Sequence, residues 1–291
     1  MTRFDPDILR QVAREHGTPC YLYDAAVLRA RVAALGAFDV VRFAQKACPN
    51  LHILRLLRAE GCLVDSVSAG ELERALRAGF SPGGEPSGII YTSDIFDDLS
   101  LDLVCRHGIP VNAGSEDMLD QLGQRSPGHP VWLRLNPGFG HGHSQKVNTG
   151  GESSKHGIWH GNLDDALTRV KTHGLKLVGL HMHIGSGADV AHLKRVCGAM
   201  VAQVRRVVEA GFDLQAISGG GGLSVPYRQG DQSVDTGAYH RSWDQARREV
   251  EALLGHPVSL ELEPGRYIAA EAGVLLARVR ATKSMGDNFF T

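Results

Sequence analysis

One alternation restricts the fold more than any other feature of this chain. From residue 40 onward, short apolar runs are separated by helical patterns. The runs are Val40–Phe43, Leu63–Val67, Ile89–Tyr91, Ile109–Val111, Val131–Leu135, Leu177–His183, Leu214–Ile217 and Val258–Leu262. Between them lie Ile53–Glu60, Gly70–Ala78, Asp97–His107, Glu116–Gly123, Leu163–His173, Val190–Ala210 and Ser242–Leu254, each with helical spacing of its apolar residues. Strands joined through helices run parallel, because a parallel pair needs a long crossover where an antiparallel pair needs only a tight turn. Eight such units over about 225 residues predict an α/β fold, a (β/α)8 TIM-type barrel. An open doubly wound sheet is the other topology the alternation allows.

The ends of the chain read differently. Residues 5–16 form an amphipathic helix with Ile8, Val12 and Ala13 on one face, stopped by Gly17-Thr18-Pro19. A short β-like run, Tyr21-Leu22-Tyr23, and a second helix, Ala25–Gly36, follow. The expected organisation is residues 1–36 as amino-terminal helices and a short strand, 37–270 as the barrel, and 271–291 as the start of a carboxyl-terminal β-domain. In that last segment Gly273–Arg280 is β-like, and both it and Tyr21–Tyr23 are expected to lack strand partners.

Composition excludes several classes. A formal net charge of −1 over 291 residues offers no footprint for nucleic acid or an anionic membrane. No apolar stretch approaches the ~20 residues needed to span a bilayer. The five cysteines, Cys20, Cys48, Cys62, Cys105 and Cys197, are widely spaced and contain no Cys-x-x-Cys pair. That spacing argues against a disulfide framework or a zinc ribbon. With no signal-like apolar core before Gly17, a cytoplasmic location is expected.

Polar residues gather where the runs end: Lys46; Asp65 with Ser66 and Ser68; Thr92-Ser93-Asp94; Asn112; Arg134 with Asn136; His181 and His183; Gly219–Gly222; Glu261 and Glu263. In a parallel barrel those ends converge on one mouth, where active sites lie. Lys46 is either a solvated strand end or a Schiff-base lysine, which needs a positioned, desolvated amine. Ser218-Gly219-Gly220-Gly221-Gly222 is a flexible turn or a cradle of backbone N–H groups for a phosphate. His181 and His183 are a metal pair, as in barrel hydrolases, or they include one histidine stacked on an aromatic ligand bonded to Ser186. Period-two spacing points both histidines the same way. Glu263 can hold a ring nitrogen protonated, and Arg266 can take a carboxylate, unless the two simply form a rim ion pair. An amine acceptor, a phosphate, a flat ring and a basic ring nitrogen together describe pyridoxal 5'-phosphate. Two long connections stand out, 138–157, rich in Gly, Ser and His, and 224–241, long and polar; loops of such length are functional or disordered.

Phe43–Lys46, Asp65–Glu71, His181–Ser186, Gly220–Gly222 and Glu263-Pro264-Gly265-Arg266 resemble the fold-type III, alanine-racemase-like barrel of the pyridoxal-phosphate-dependent amino-acid decarboxylases. The resemblance runs over essentially the whole chain. It implies that Lys46 carries the cofactor, His183 stacks on its ring, and Glu263 pairs with the ring nitrogen. It further implies that Ser186, Gly220, Gly221, Gly222 and the backbone of Glu263, Pro264, Gly265 and Arg266 hold the phosphate, and that Arg266 also faces a substrate carboxylate. Asp65, Glu71 and Arg134 match supporting positions, and no metal is implied. The family continues into a β-domain that completes the substrate site and a homodimer interface, so this 291-residue form is expected to bind cofactor weakly and to turn over poorly. A decarboxylase acting on a basic amino acid is the expected activity. A non-catalytic cofactor-binding homologue and a metal hydrolase using His181 and His183 are the alternatives.

Overall fold

Eight parallel strands close into a ring. The structure, a computed structural model, describes residues 4–140, 150–183, 185, 190–228 and 230–291. After helix α1 (Pro6–His16), strand β1 (Cys20–Tyr23) and helix α2 (Ala25–Ala33) come the barrel strands β2 (Val40–Ala44), β3 (Leu63–Ser66), β4 (Ile89–Ser93), β5 (Val111–Ala113) and β6 (Pro130–Asn136). A two-residue strand β7 (Ile158–Trp159) flanks β6, and β8 (Lys176–His181), β9 (Ala216–Ser218) and β10 (Ser259–Leu262) finish the ring. Neighbours run in the order β5-β4-β3-β2-β10-β9-β8-β6, and β5 also pairs with β6. That last pairing decides between a closed barrel and an open sheet.

Register sorts side chains between two compartments, because residues paired across parallel strands face the same way. Leu133, Leu180, Ile217 and Leu260 are paired in one row and fully buried within the core shared with the helices. The next row, Arg134, His181, Ser218 and Glu261, points into the barrel. Below it Ile90, Trp132 and Ala216 form a separate small apolar cluster. At its base the barrel holds a buried ion pair. Arg42 Nε lies 2.5 Å from Glu261 Oε2, while another guanidinium nitrogen donates to the Ser87 carbonyl at 2.7 Å. Both side chains are almost wholly shielded from water. Removing one charge strands the other, so Glu261→Gln should lower the unfolding free energy by about 3 kcal/mol in chemical denaturation. A loss below about 1 kcal/mol would mean that water reaches Arg42.

The structure corrects three expectations. The helix before the last barrel strand runs Thr236–Leu254 rather than from Ser242, because Asp235 caps it by accepting from Ala238 N at 2.8 Å. Its first buried apolar residue, Trp243, comes two turns later and hides that start. Second, Cys20–Tyr23 and Gly273–Leu276 do not lack partners: they pair antiparallel with each other, Leu22 opposite Val274. The later run ends at Leu276, and Lys283–Met285 pairs with Asn288–Phe290 in a two-residue hairpin turned by Gly286, at φ 59°. Third, the strand expected at Ile109–Val111 lies at Val111–Ala113. Among the described residues, no helix is long and apolar enough to cross a membrane.

Candidate active site

Lys46 stands one residue into a single turn, Gln45–Ala47, that caps β2. Gln45 is fully buried and fixes that turn by donating to Ser66 Oγ at 2.6 Å and to the Glu71 carbonyl at 3.0 Å. With Gln45 turned inward to the helix Ala69–Ala78, the next side chain must face the mouth. Lys46 Nζ meets Asp65 Oδ2 at 3.2 Å, the lysine half exposed and the aspartate buried. Burial opposes the ammonium, but Asp65, Glu263 and Glu71 outweigh it and hold the Lys46 pKa above the ordinary lysine value. Asp65 Oδ1 is buried and has no hydrogen-bond partner among the described residues. Glu71 braces the neighbouring strand end, accepting from Val67 N at 2.9 Å; its own pKa is raised, chiefly by burial.

Opposite the lysine, β9 runs into the glycine turn. Gly220 and Gly222 have φ of 63° and 100°, which side-chain-bearing residues rarely adopt. A Cβ on Gly221 would fall 2.5 Å from the Glu263 carbonyl, and one on Gly222 would fall 2.2 Å from the Gly185 carbonyl. The N–H groups of Gly222 and Leu223 have no acceptor among the described residues, and both residues line the mouth. That is the backbone arrangement an anion needs.

His183 follows the end of β8, with Nδ1 accepting from Gly221 N at 3.2 Å, so Nε2 carries the proton. Burial, reinforced by Arg134, His181 and Lys46, lowers its pKa to about 3 and keeps the ring neutral. His181 ends the strand itself, and its Nε2 lies 2.8 Å from Glu263 Oε2. The two rings therefore have different partners rather than sharing one ligand. Burial disfavours the Glu263 carboxylate, yet His181, Lys46 and His183 overcome this and leave it ionised, with its pKa lowered. Gly220 and Pro264 sit one layer back as backbone braces: the Gly220 carbonyl accepts from Glu263 N at 2.7 Å and the Pro264 carbonyl from Ala44 N at 3.1 Å. The second bond ties the lysine turn to the glutamate turn. Gly265 packs against the same turn, where a Cβ would meet the Ala44 carbonyl at 3.1 Å.

These groups surround one open cavity of about 1230 Å³, whose lining includes Lys46, Asp65, Arg134, His183, Gly221, Gly222, Glu263, Gly265 and Arg266. Of the residues singled out from sequence, Ser186 lies outside those described. Sequence reasoning missed the pair Asp94–His156, with Nδ1 2.6 Å from Oδ2. Asp94 also accepts from Gly157 N at 2.9 Å and is held below the usual carboxylate pKa, its bonds to His156 and Gly157 outweighing burial. Both residues line the mouth. Asn136 clasps the same connection, taking the N–H groups of Gly138 and Gly151 on Oδ1 and donating from Nδ2 to the Gly151 and His156 carbonyls. Asp94 was visible as a polar strand end and His156 as part of the long 138–157 loop. Only the fold joins them.

A parallel barrel whose mouth combines a lysine, an anion-binding glycine turn, a neutral histidine and a buried glutamate defines a class: barrels built to hold an aldehyde cofactor with a phosphate and a basic ring. The residues fit pyridoxal phosphate: Lys46 Nζ suits its aldehyde, the N–H groups of Gly222 and Leu223, without acceptors among the described residues, suit its phosphate, and the Glu263 carboxylate suits its ring nitrogen. The chain belongs to the pyridoxal-dependent decarboxylases, residues 25–270 matching the family's pyridoxal binding domain. It is 60% identical over 282 residues to the diaminopimelate decarboxylase of Escherichia coli (strain K12), covering 97% of this chain and 66% of the relative. To that of Streptomyces coelicolor it is 61% identical over 282 residues, covering 97% of this chain and 63% of the relative. A crystal structure of diaminopimelate decarboxylase matches with a TM-score of 0.93 and 58% identity, covering 99% of this chain and 69% of that one. The Helicobacter pylori diaminopimelate decarboxylase complexed with L-lysine matches with a TM-score of 0.85 at 25% identity, covering 94% of this chain and 70% of that one. This chain thus spans about two thirds of the length of the curated relatives it matches.

Proposed function

We propose that this chain decarboxylates meso-2,6-diaminopimelate to L-lysine and CO2, the last step of lysine biosynthesis, with pyridoxal phosphate attached to Lys46. What supports the substrate is likeness: 60% identity across nearly all of the chain to a diaminopimelate decarboxylase. Lys46, Asp65, His183, Glu263 and the glycine turn, gathered at one mouth, support the chemistry. When bound, the cofactor supplies an electron sink conjugated to the substrate's α-carbon.

The chain's own residues do the rest. Gly222 and Leu223 offer N–H groups to the phosphate, with Gly220, Gly221 and Gly265 shaping the turn. His183, neutral with its proton on Nε2, presents a flat ring for stacking. Glu263 is an anion in a buried setting, suited to holding a pyridine nitrogen protonated. Arg266 and Arg134 supply fixed positive charge for a substrate carboxylate, as Arg side chains do in bidentate recognition. Asp65 keeps Lys46 Nζ cationic whenever that amine is free, so it can return a proton to the α-carbon after CO2 leaves.

The exposed apolar residues at the rim, Tyr21 at 70%, Ile95 at 73% and Leu275 at 56% exposure, support a homodimeric assembly. A cytoplasmic setting and the division at residues 36 and 270 belong to the same proposal. A CO2-release assay tests the substrate. With pyridoxal phosphate present, meso-2,6-diaminopimelate should be decarboxylated at least about tenfold faster than ornithine at equal concentration, by kcat/KM. Equal or reversed rates would refute this reading.

A further inference from the structure

We propose that His181 is a positioning residue for Glu263: it fixes which carboxylate oxygen faces the ligand and keeps that carboxylate charged. The inference rests on the reading of Glu263 given above and carries it one residue deeper into the barrel.

Burial makes the case necessary. Glu263 is 7% exposed and His181 1%. A carboxylate so enclosed is costly unless it is paired and hydrogen-bonded. Its contact with His181 Nε2, at 2.8 Å, is its closest recorded side-chain partner. Because the carboxylate is ionised, it can only accept, so the proton of this bond sits on His181 Nε2. Glu263 Oε2 is thereby committed. Oε1 has no hydrogen-bond partner among the described residues, and Glu263 lines the mouth. One oxygen is held and the other is presented.

The backbone holds both partners still. His181 is the last residue of β8, paired on one side with Arg134 of β6 and on the other with Ser218 of β9. Glu263 N donates to the Gly220 carbonyl at 2.7 Å. Neither partner can drift without breaking a strand end or the glycine turn. The second nitrogen of His181, Nδ1, is buried with no hydrogen-bond partner among the described residues. Among those residues no other side chain therefore competes with Glu263 for the orientation of the ring. His183 has a separate task, since its Nδ1 is taken by Gly221. Two histidines spaced by one residue thus serve different ends: one addresses the ligand's surroundings, the other addresses the acid.

The readout must follow the carboxylate rather than the fold. Wild-type protein and the variants His181→Gln, His181→Asn and His181→Leu are each titrated with pyridoxal phosphate and with its 1-deaza analogue, which lacks the ring nitrogen. Binding is followed by absorbance, Lys46 attachment by borohydride trapping, and folding by thermal unfolding. Wild type should favour pyridoxal phosphate over the analogue by at least about tenfold, the scale of one hydrogen bond to a charged group. His181→Gln, whose amide reaches Glu263, should keep most of that preference. The shorter His181→Asn, and His181→Leu, should lose it. If His181→Leu does not fold, the contrast between Gln and Asn decides. An unchanged preference in folded His181→Asn overturns the assignment. Failure of wild type to be trapped at Lys46, or to prefer pyridoxal phosphate at all, would instead overturn the reading of Lys46 and Glu263 on which it rests.

Discussion

In Lys46→Ala, borohydride reduction after incubation with pyridoxal phosphate should trap no adduct, and turnover should fall at least about a thousandfold, the scale of losing a nucleophile that acts with its neighbours as a unit. The effect follows from position. The amine faces the mouth because Gln45 is bonded inward, and among the described residues no other primary amine lines the cavity near Asp65. Lys155 also lines the cavity, beside the Asp94–His156 pair on the far connection, and would be the residue trapped if this assignment were wrong. The electrostatics add a pH signature. An ammonium cannot attack an aldehyde, and Asp65, Glu263 and Glu71 hold the Lys46 pKa above its ordinary value despite burial. Cofactor attachment should therefore accelerate about tenfold per pH unit across the neutral range, as the neutral fraction grows. Asp65→Asn removes the nearest counter-charge, lowers that pKa and should shift the rising limb to lower pH. A flat profile in wild type would show that the proton leaves Lys46 by another route.

Much of this arrangement was legible before folding. Apolar runs and helical patterns specify a parallel barrel because each local signal points to the same topology, and the polar strand ends mark its open face. What sequence could not reach was pairing. His181 and Glu263 are 82 residues apart and Asp94 and His156 are 62 apart, so nothing local joins them. They meet only because the ring closes through β5–β6 and β10–β2, which sets the height of every strand end. The same holds for Cys20–Tyr23, which reads as an orphan until Gly273–Leu276 is brought round beside it. The late start of the apolar face in the helix Thr236–Leu254 is a different failure. Its first turn follows an Asp235 cap, and capping chemistry without an apolar stripe is a weak signal in an already polar stretch.

Glu263 carries the last and most diagnostic expectation. Glu263→Gln keeps the volume and can still accept the bond from His181, so the fold and the glycine turn should survive, while the variant gives up at neutral pH the stability that the paired carboxylate contributes. What the variant loses is the anion. An amide cannot hold a pyridine nitrogen protonated, so the electron sink weakens when the α-carbon becomes electron-rich. Removing a preorganised charge of this kind raises a barrier by ~3–4 kcal/mol, so kcat should drop by on the order of a hundredfold to a thousandfold, with KM little altered. The unliganded protein offers an independent check with a definite sign. His181, Lys46 and His183 overcome the burial penalty and depress the Glu263 pKa to about 2. A depressed carboxylate contributes stability above its unfolded value, near 4.3, and that contribution disappears as pH falls towards the folded value. The stability advantage of wild type over Glu263→Gln should therefore be constant above about pH 5 and shrink steadily below it. Near-normal kcat in the variant would remove Glu263 from the chemistry. An advantage independent of pH would remove the ionised carboxylate from the unliganded site, and with it the reason for His181 to stand where it does.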